Sequence, residues 1–297
     1  MSPTTIDPSR TRAALGGGEA LFAAAIVCPE GIAAVQALGV PVDAARINFV
    51  TRTAPMGAVS AEVAVAVFFN FNPAVVEEVI PAAWAAAPPD SILAAHRAAL
   101  DGPLAAALAA LDPGDLAEYA RLARTAAEAA CDHVEGRALF AGFAGLPWPD
   151  GDHLVAWHAA RLLREHRGDG HVAALVVEGL SGIEALVVHE AFDPKMPQGV
   201  LRRSRSWRRE QWATAVDGLR QRGWLTDDET LTMTEEGRAR RQRIEDRTNE
   251  LAAVAFEPIG PDGVERLVGL GAQVAAALRA AGLSLEALFG PMAERRG

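Results

Sequence analysis

Several things are scarce in this chain of 297 residues, and each scarcity closes off a class of protein. Two cysteines, Cys28 and Cys131, are too few for a disulfide framework or a paired-cysteine metal knuckle, and they fit a reducing cytosol. Aromatic residues make up 6% and tyrosine occurs once, at Tyr119, whereas sheets favour aromatic and β-branched side chains. With alanine used heavily, the composition points to helices. Basic residues are outnumbered, 28 against 38 acids, and the net charge of −10 excludes a chain that coats nucleic acid without specificity. No apolar run reaches the roughly 18 residues needed to span a bilayer, and MSPTTIDPSR is no signal sequence. A cytoplasmic protein without a membrane partner is expected. HExxH, paired CxxC, GxGxxG, Walker A and GxSxG motifs are absent, so neither a metal site nor a cofactor is expected.

What is present is a succession of helices with readable ends. The length suggests two domains. Residues 1 to 12 read as a loose tail, and Gly16-Gly17-Gly18 as a break before a helix from Glu19 to about Cys28. Another helix starts near Ser60 and is apolar nearly all round, through Val63, Val65, Val67 and Phe68, which predicts an interior position. Pro89-Asp90-Ser91 opens a helix to about Leu100, and Asp112-Pro113 caps a longer one to about Cys131. Two prolines around Trp148 forbid a helix there, which places the domain boundary between 1–147 and 148–297.

Beyond that boundary, His153 to His166 reads as a helix closed by Arg167-Gly168-Asp169-Gly170, with His171 to Glu178 as a second one. Ser181 and Glu184 form a capping box, and a Pro194 to Pro197 loop leads to a short helix from Gln198 to Arg203. Ser206 can cap the next helix, Trp207 to Arg222. Trp224-Leu225-Thr226 and Leu231-Thr232-Met233, around Asp227-Asp228-Glu229, look like a small hairpin, and Thr234 caps a last long helix. That helix resumes from Gly263 to Ala281, with Leu267, Leu270, Val274 and Leu278 at helical spacing as either a homodimer seam or core. The expected fold is all-α with a small β wing, in two helical domains, the second a winged helix-turn-helix.

The residues also carry a resemblance. AVDGLRQRGWLTDDETLTMTEEGRARRQRIEDRTNELAA, at 215–253, resembles the recognition-helix, wing and following-helix stretch of MarR-type regulators, over roughly 181–255. RTAPMGAVSAEV (52–63), the 146–191 stretch that opens LPWPDGDHLVAWHAARLLREHRGDGH, and RSRSWRREQWATAVDGLRQRGWL (203–225) make nearly the whole chain similar to a group of actinobacterial helix-turn-helix proteins. The resemblance implies a DNA-binding transcriptional regulator that answers to a small molecule. The helix at 207–222 would then enter the major groove, with Arg208, Arg209 and Gln211 near its start, while Arg202, Arg203 and Arg205 approach the backbone. Twelve arginines and nine acids lie between Leu201 and Arg247, a local net charge of +3 in an acidic chain. Against this, MarR-type wings carry arginine at the tip, and here the tip is acidic.

A histidine-rich junction offers a different chemistry. His158, Arg161, Arg164, Glu165, His166, Arg167, Asp169 and His171 crowd one stretch, with His158 and Glu165 about 20° apart on one helix face. The arginines, with Arg52, Trp157 and His158, are candidate ligand contacts at the domain junction. His166 or His171, oriented by Asp169 or Glu165, are candidate catalytic groups. Each has a plainer alternative: Asp169 as the cap of a 170–178 helix, Arg161 and Glu165 as an i,i+4 pair. An enzyme or ligand-binding scaffold that has lost DNA binding is therefore the alternative function.

Overall fold

The computed structural model describes residues 6–193 and 198–284, so the Pro194 to Pro197 loop lies outside the described residues. Fifteen α-helices are found there: α1 Thr11–Ala14, α2 Gly16–Val27, α3 Pro29–Gln36, α4 Ile47–Thr53, α5 Ala61–Phe68, α6 Pro73–Ala86, α7 Pro89–Leu108, α8 Pro113–Ala130, α9 Ala138–Ala144, α10 Asp152–Val177, α11 Gly182–Phe192, α12 Val200–Ser204, α13 Arg209–Gln221, α14 Glu235–Ala253 and α15 Gly260–Ala280. The all-α expectation holds. None of these helices is both long and apolar enough to cross a membrane.

The spine is α10, 26 residues and about 39 Å long. Its first half lies in an apolar core that joins distant parts of the chain: Leu21 of α2, Tyr119 of α8, Phe140 and Phe143 of α9, Phe256, and Leu270 and Val274 of α15. Its end, Ala174 and Leu175, enters a second core with Val187 and Val188 of α11, Trp212 and Leu219 of α13, Trp224 and Ile244. A third core gathers α4, α5 and α6 around Phe49, Phe68 and Ile80.

Several expectations are corrected. The small β wing is not formed: among the described residues there is no β-strand, only an isolated antiparallel bridge from Leu225 to Met233. The connection satisfies itself through side chains instead. Asp228 accepts hydrogen bonds from Thr226 Oγ1 (2.7 Å), Thr230 N (3.0 Å) and Thr230 Oγ1 (2.7 Å), and Arg220 donates to the carbonyls of Thr226 and Asp228. Local bonds of this kind compete with a strand ladder. The α5 helix is not enclosed either, since Val63 is 41% exposed and only Ala64 and Phe68 are buried. The helix α13 starts at Arg209 with Arg208 as its N-cap, not Ser206, which adopts a left-handed φ of 60°.

The chain does not turn at Arg167-Gly168-Asp169-Gly170; α10 runs straight through. Gly170 faces α14 closely, since a Cβ there would stand 3.5 Å from Leu251 Cβ. Likewise Gly17 lies inside α2 rather than before it. There the helix crosses α15 so tightly that a Cβ on Gly17 would be 2.5 Å from Gly271 Cα. Of the stretch read as a loose tail, residues 1–5 lie outside the described residues, while Pro8–Arg10 form a 3-10 turn in which Arg10 pairs with Glu265 at 2.6 Å, and Thr11 opens α1. The apolar row of α15 is core, with Leu267, Leu270, Val274 and Leu278 all within 1% exposure, which leaves no seam for a second copy on that face.

Candidate functional site

Two groups of candidate residues lie in different surroundings. In the helix-turn-helix region, α13 turns Trp212, Ala215, Val216 and Leu219 inward and leaves Arg208 and Arg209 exposed at its start. Arg203 is exposed and Arg202 half-buried, its Nη1 donating to the carbonyl of Trp207 at 3.0 Å. None of these four arginines has an acid within ion-pair distance among the described residues. Farther along, Arg220 pairs with Asp217, Arg222 with Glu184, Arg240 with Glu178 and Arg243 with Glu236. Gln211 turns back on the helix start, its Oε1 accepting from Arg208 N at 3.2 Å. Arg205 does not join this surface. Its guanidinium packs over Phe71 at 5.2 Å, and burial lowers its pKa to about 10.

The stretch before α13 is fastened to the first half of the chain. Asn72 N donates to Arg205 O (3.1 Å), Asn72 Nδ2 to Ser206 O (2.9 Å) and Trp207 Nε1 to Asn70 O (2.9 Å). Gly182, at the start of α11, sits beneath the same loop, where any Cβ would lie 1.9 Å from Phe69 O.

The junction residues are interior. Glu165 is fully buried and grips Arg52 bidentately, Nε to Oε1 at 2.9 Å and Nη2 to Oε2 at 2.7 Å, with Arg164 Nη1 at 3.2 Å. Burial pushes its carboxyl up, but Arg52, Arg164 and Arg161 outweigh that and hold it below the usual range. Arg52 lies over Phe68 and Phe22, and Arg164 stacks on Phe22 at 3.7 Å. Arg161 donates to Thr51 O at 3.0 Å and lies between Phe143 and Trp157; burial lowers its pKa to about 9.

One turn on, Arg167 ties α10 to α14 through Glu245 and Asn249, and Glu245 also binds Arg241 at 3.0 Å. His171 Nδ1 meets Thr248 Oγ1 at 2.9 Å, and burial lowers the pKa of that imidazole to about 4. His166 packs edge-on against Phe140, with its pKa lowered to about 3 by burial and by Arg137. Asp169 accepts from Phe140 N at 3.0 Å, at the start of α9; burial raises its carboxyl to about 6.

The four candidate catalytic residues therefore do not converge: Glu165 faces Arg52, Asp169 faces the α9 backbone, and His166 and His171 point to different neighbours. Nor is any group of three or more His, Cys, Asp or Glu placed to hold a metal ion among the described residues.

Three ligand candidates do come together. Trp157, His158 and Arg161 line a cavity of about 170 Å³ with Leu93, Ala94 and Arg97 of α7, Phe143 of α9 and the Leu146-Pro147 connection. Arg52, Arg164 and Arg167 are not among its walls. Sequence reasoning missed the α7 and 143–147 walls, because apolar residues at helical spacing carry no mark of which face lines a cavity.

With this geometry in view, residues 11–284 match a helix-turn-helix family, and the chain belongs to that family. Membership points to a DNA-binding regulator. Neither the curated proteins nor the solved structures yield a match to this chain.

Proposed function

We propose that the chain is a DNA-binding transcriptional regulator that reads its operator with the start of α13 and responds to a small molecule held beside α10. The observation that carries the first half is the uneven pairing of arginines. Among the described residues, Arg202, Arg203, Arg208 and Arg209 have no acid within ion-pair distance, while Arg220, Arg222, Arg240 and Arg243 farther along are paired. Exposed guanidinium groups at the start of a recognition helix are suited to phosphates and to base edges in the major groove. Gln211 serves there as a cap as much as a contact. The likeness of 181–255 to MarR-type regulators supports the reading through helix order alone.

A ligand-binding scaffold without DNA is favoured by one observation. Glu229 lines the same groove of about 440 Å³ as Arg202, Arg209 and Arg220, and would oppose phosphates. A salt series separates the two readings. Fluorescence anisotropy on the DNA upstream of the coding sequence should show binding that weakens linearly in log salt, with a slope of about −0.9 per phosphate contacted. Arg208→Ala with Arg209→Ala should abolish that binding and leave the melting temperature unchanged. Absence of binding at low salt, or affinity unchanged in the double variant, overturns the DNA reading.

A further inference from the structure

The cavity between α7 and the α9–α10 connection has the composition of a binding slot. Its walls are apolar: Leu93, Ala94, Phe143, Leu146 and the faces of Pro147 and Trp157. Its depth is polar. Trp157, His158 and Arg161 are each no more than 5% exposed, and each carries a ring or guanidinium nitrogen with no hydrogen-bond partner: Trp157 Nε1, His158 Nε2 and Arg161 Nε.

Buried polar atoms are normally satisfied, and three orphans on one helix face around one cavity call for a partner that the chain does not supply. Two of the three, the indole and guanidinium N–H groups, can only donate, and neutral imidazole can donate from Nε2 by choice of tautomer. The charge has the same sense. Among the lining residues, Arg161 and the exposed Arg97 stand against the single carboxylate of Asp90, with Glu165 acting on Arg161 from outside the lining. The cationic surroundings are felt by His158, which burial, Arg161, Arg97 and Arg124 hold at a pKa of about 4.

A partner for this slot therefore supplies acceptors and negative charge at one end and a flat apolar body at the other. A volume of about 170 Å³ limits that body to a single ring, since a cavity of ~150 Å³ holds benzene.

We propose that this slot binds a small carboxylate bearing one flat ring, with the carboxylate facing Trp157 Nε1 and Arg161 Nε and the ring between Leu93, Phe143 and Leu146. The proposal deepens the ligand-responsive half of the function above and rests on it, but it does not require DNA to be bound. A cation is excluded by the neighbouring guanidinium groups.

The test is calorimetric titration of the full chain with benzoate in the absence of DNA, with tryptophan fluorescence recorded in parallel. Benzoate should bind, and benzamide, which has the same shape without the charge, should bind at least about tenfold more weakly. Leu93→Trp, a substitution at the half-buried wall that fills the slot, should abolish benzoate binding. Trp157→Phe keeps the wall, loses one donor, and should weaken binding severalfold. Circular dichroism melts of both variants keep folding separate from binding.

The proposal is overturned if benzoate fails to bind at roughly 10 mM, if benzamide binds as well, or if folded Leu93→Trp retains wild-type affinity. The anisotropy experiment is scored separately. Benzoate binding without DNA binding sinks only the regulator, and DNA binding without benzoate binding sinks only the slot.

Discussion

Glu165 and Glu245 are set up alike and placed differently. Each stands amid three arginines: Arg52, Arg164 and Arg161 around the first, Arg167, Arg241 and Arg12 around the second. The Glu165 side chain is 1% exposed, and its main partner comes from α4, 113 residues earlier. That of Glu245 is 11% exposed and shares Arg241 from its own helix, with Arg12 at 3.5 Å on the surface. The same chemistry therefore does two jobs. Around Glu165 it fixes how α4 docks on the spine, with no water to stand in for a lost partner. Around Glu245 it closes a seam between α10 and α14 that solvent partly reaches. Burial, not the number of ion pairs, decides how much each knot matters.

The contrast is broken most severely at the buried end. Glu165→Gln leaves Arg52 uncompensated in the interior and should cost about 3–5 kcal/mol in urea unfolding. Replacing both partners, Arg52→Met with Glu165→Met, should cost clearly less than either single change, because no orphan charge remains. A double variant as unstable as the singles would show that the pair is not the unit. Glu245→Gln should cost about 1–3 kcal/mol, less than Glu165→Gln; the reverse order would refute the burial argument.

Acid sharpens the comparison further. The Glu245 carboxyl is held at about 2 despite burial, mainly by Arg167 and Arg241, so its contribution is present above the unfolded carboxylate range and fades as pH falls from about 4.5 toward 2. Histidine acts earlier. Burial lowers His96 and His166 to about 3 and His158 and His171 to about 4, so these rings fold neutral. Protonation favours the unfolded chain, so stability is full above about 6.5 and is lost progressively below it. Melting temperature measured from pH 8 to 4 should begin to fall near 6.5, ahead of the loss of the ion-paired carboxylates Glu165 and Glu245. A flat profile down to pH 5 would refute this.

The smallest effect is expected at Asp169. With its carboxyl raised to about 6, ionisation opposes folding as pH rises through that value. Asp169→Asn keeps an acceptor for Phe140 N and should be neutral or slightly stabilising at pH 8, whereas loss of stability there would mean that the charge is needed.

Features whose partners are near in sequence were legible. Asp112 does cap α8, accepting from Gly114 N at 2.8 Å; Ser181 and Glu184 do form a capping box; Thr234 does cap α14; and Gly179 and Gly223 do take the left-handed φ that ends a helix. Features set by distant partners were not. Gly168-Asp169-Gly170 has the composition of a turn, yet the Asp169 side chain goes to a backbone amide 29 residues away and Gly170 makes room for α14. Local chemistry said break, and packing said continue. The glycines at 16–18 misled in the same way, because a helix crossing needs them as much as a loop does. At the site, Arg52 and Trp157 drew notice for their residue types and neighbours, but nothing local reveals that Arg52 ends on Glu165 while Trp157 ends in the slot. The expected wing failed because threonines that suit a strand also bond readily to an aspartate two residues away.

The three hydrogen bonds that join Asn70 and Asn72 to residues 205–207 have a bearing on modularity. The helix α13 takes its heading from a loop encoded more than 130 residues upstream. A transplant of residues 181–255 onto another protein would carry α13 without its mount. The exchangeable part is discontinuous, helix plus loop, and domain shuffling along the chain cannot move it in a single cut.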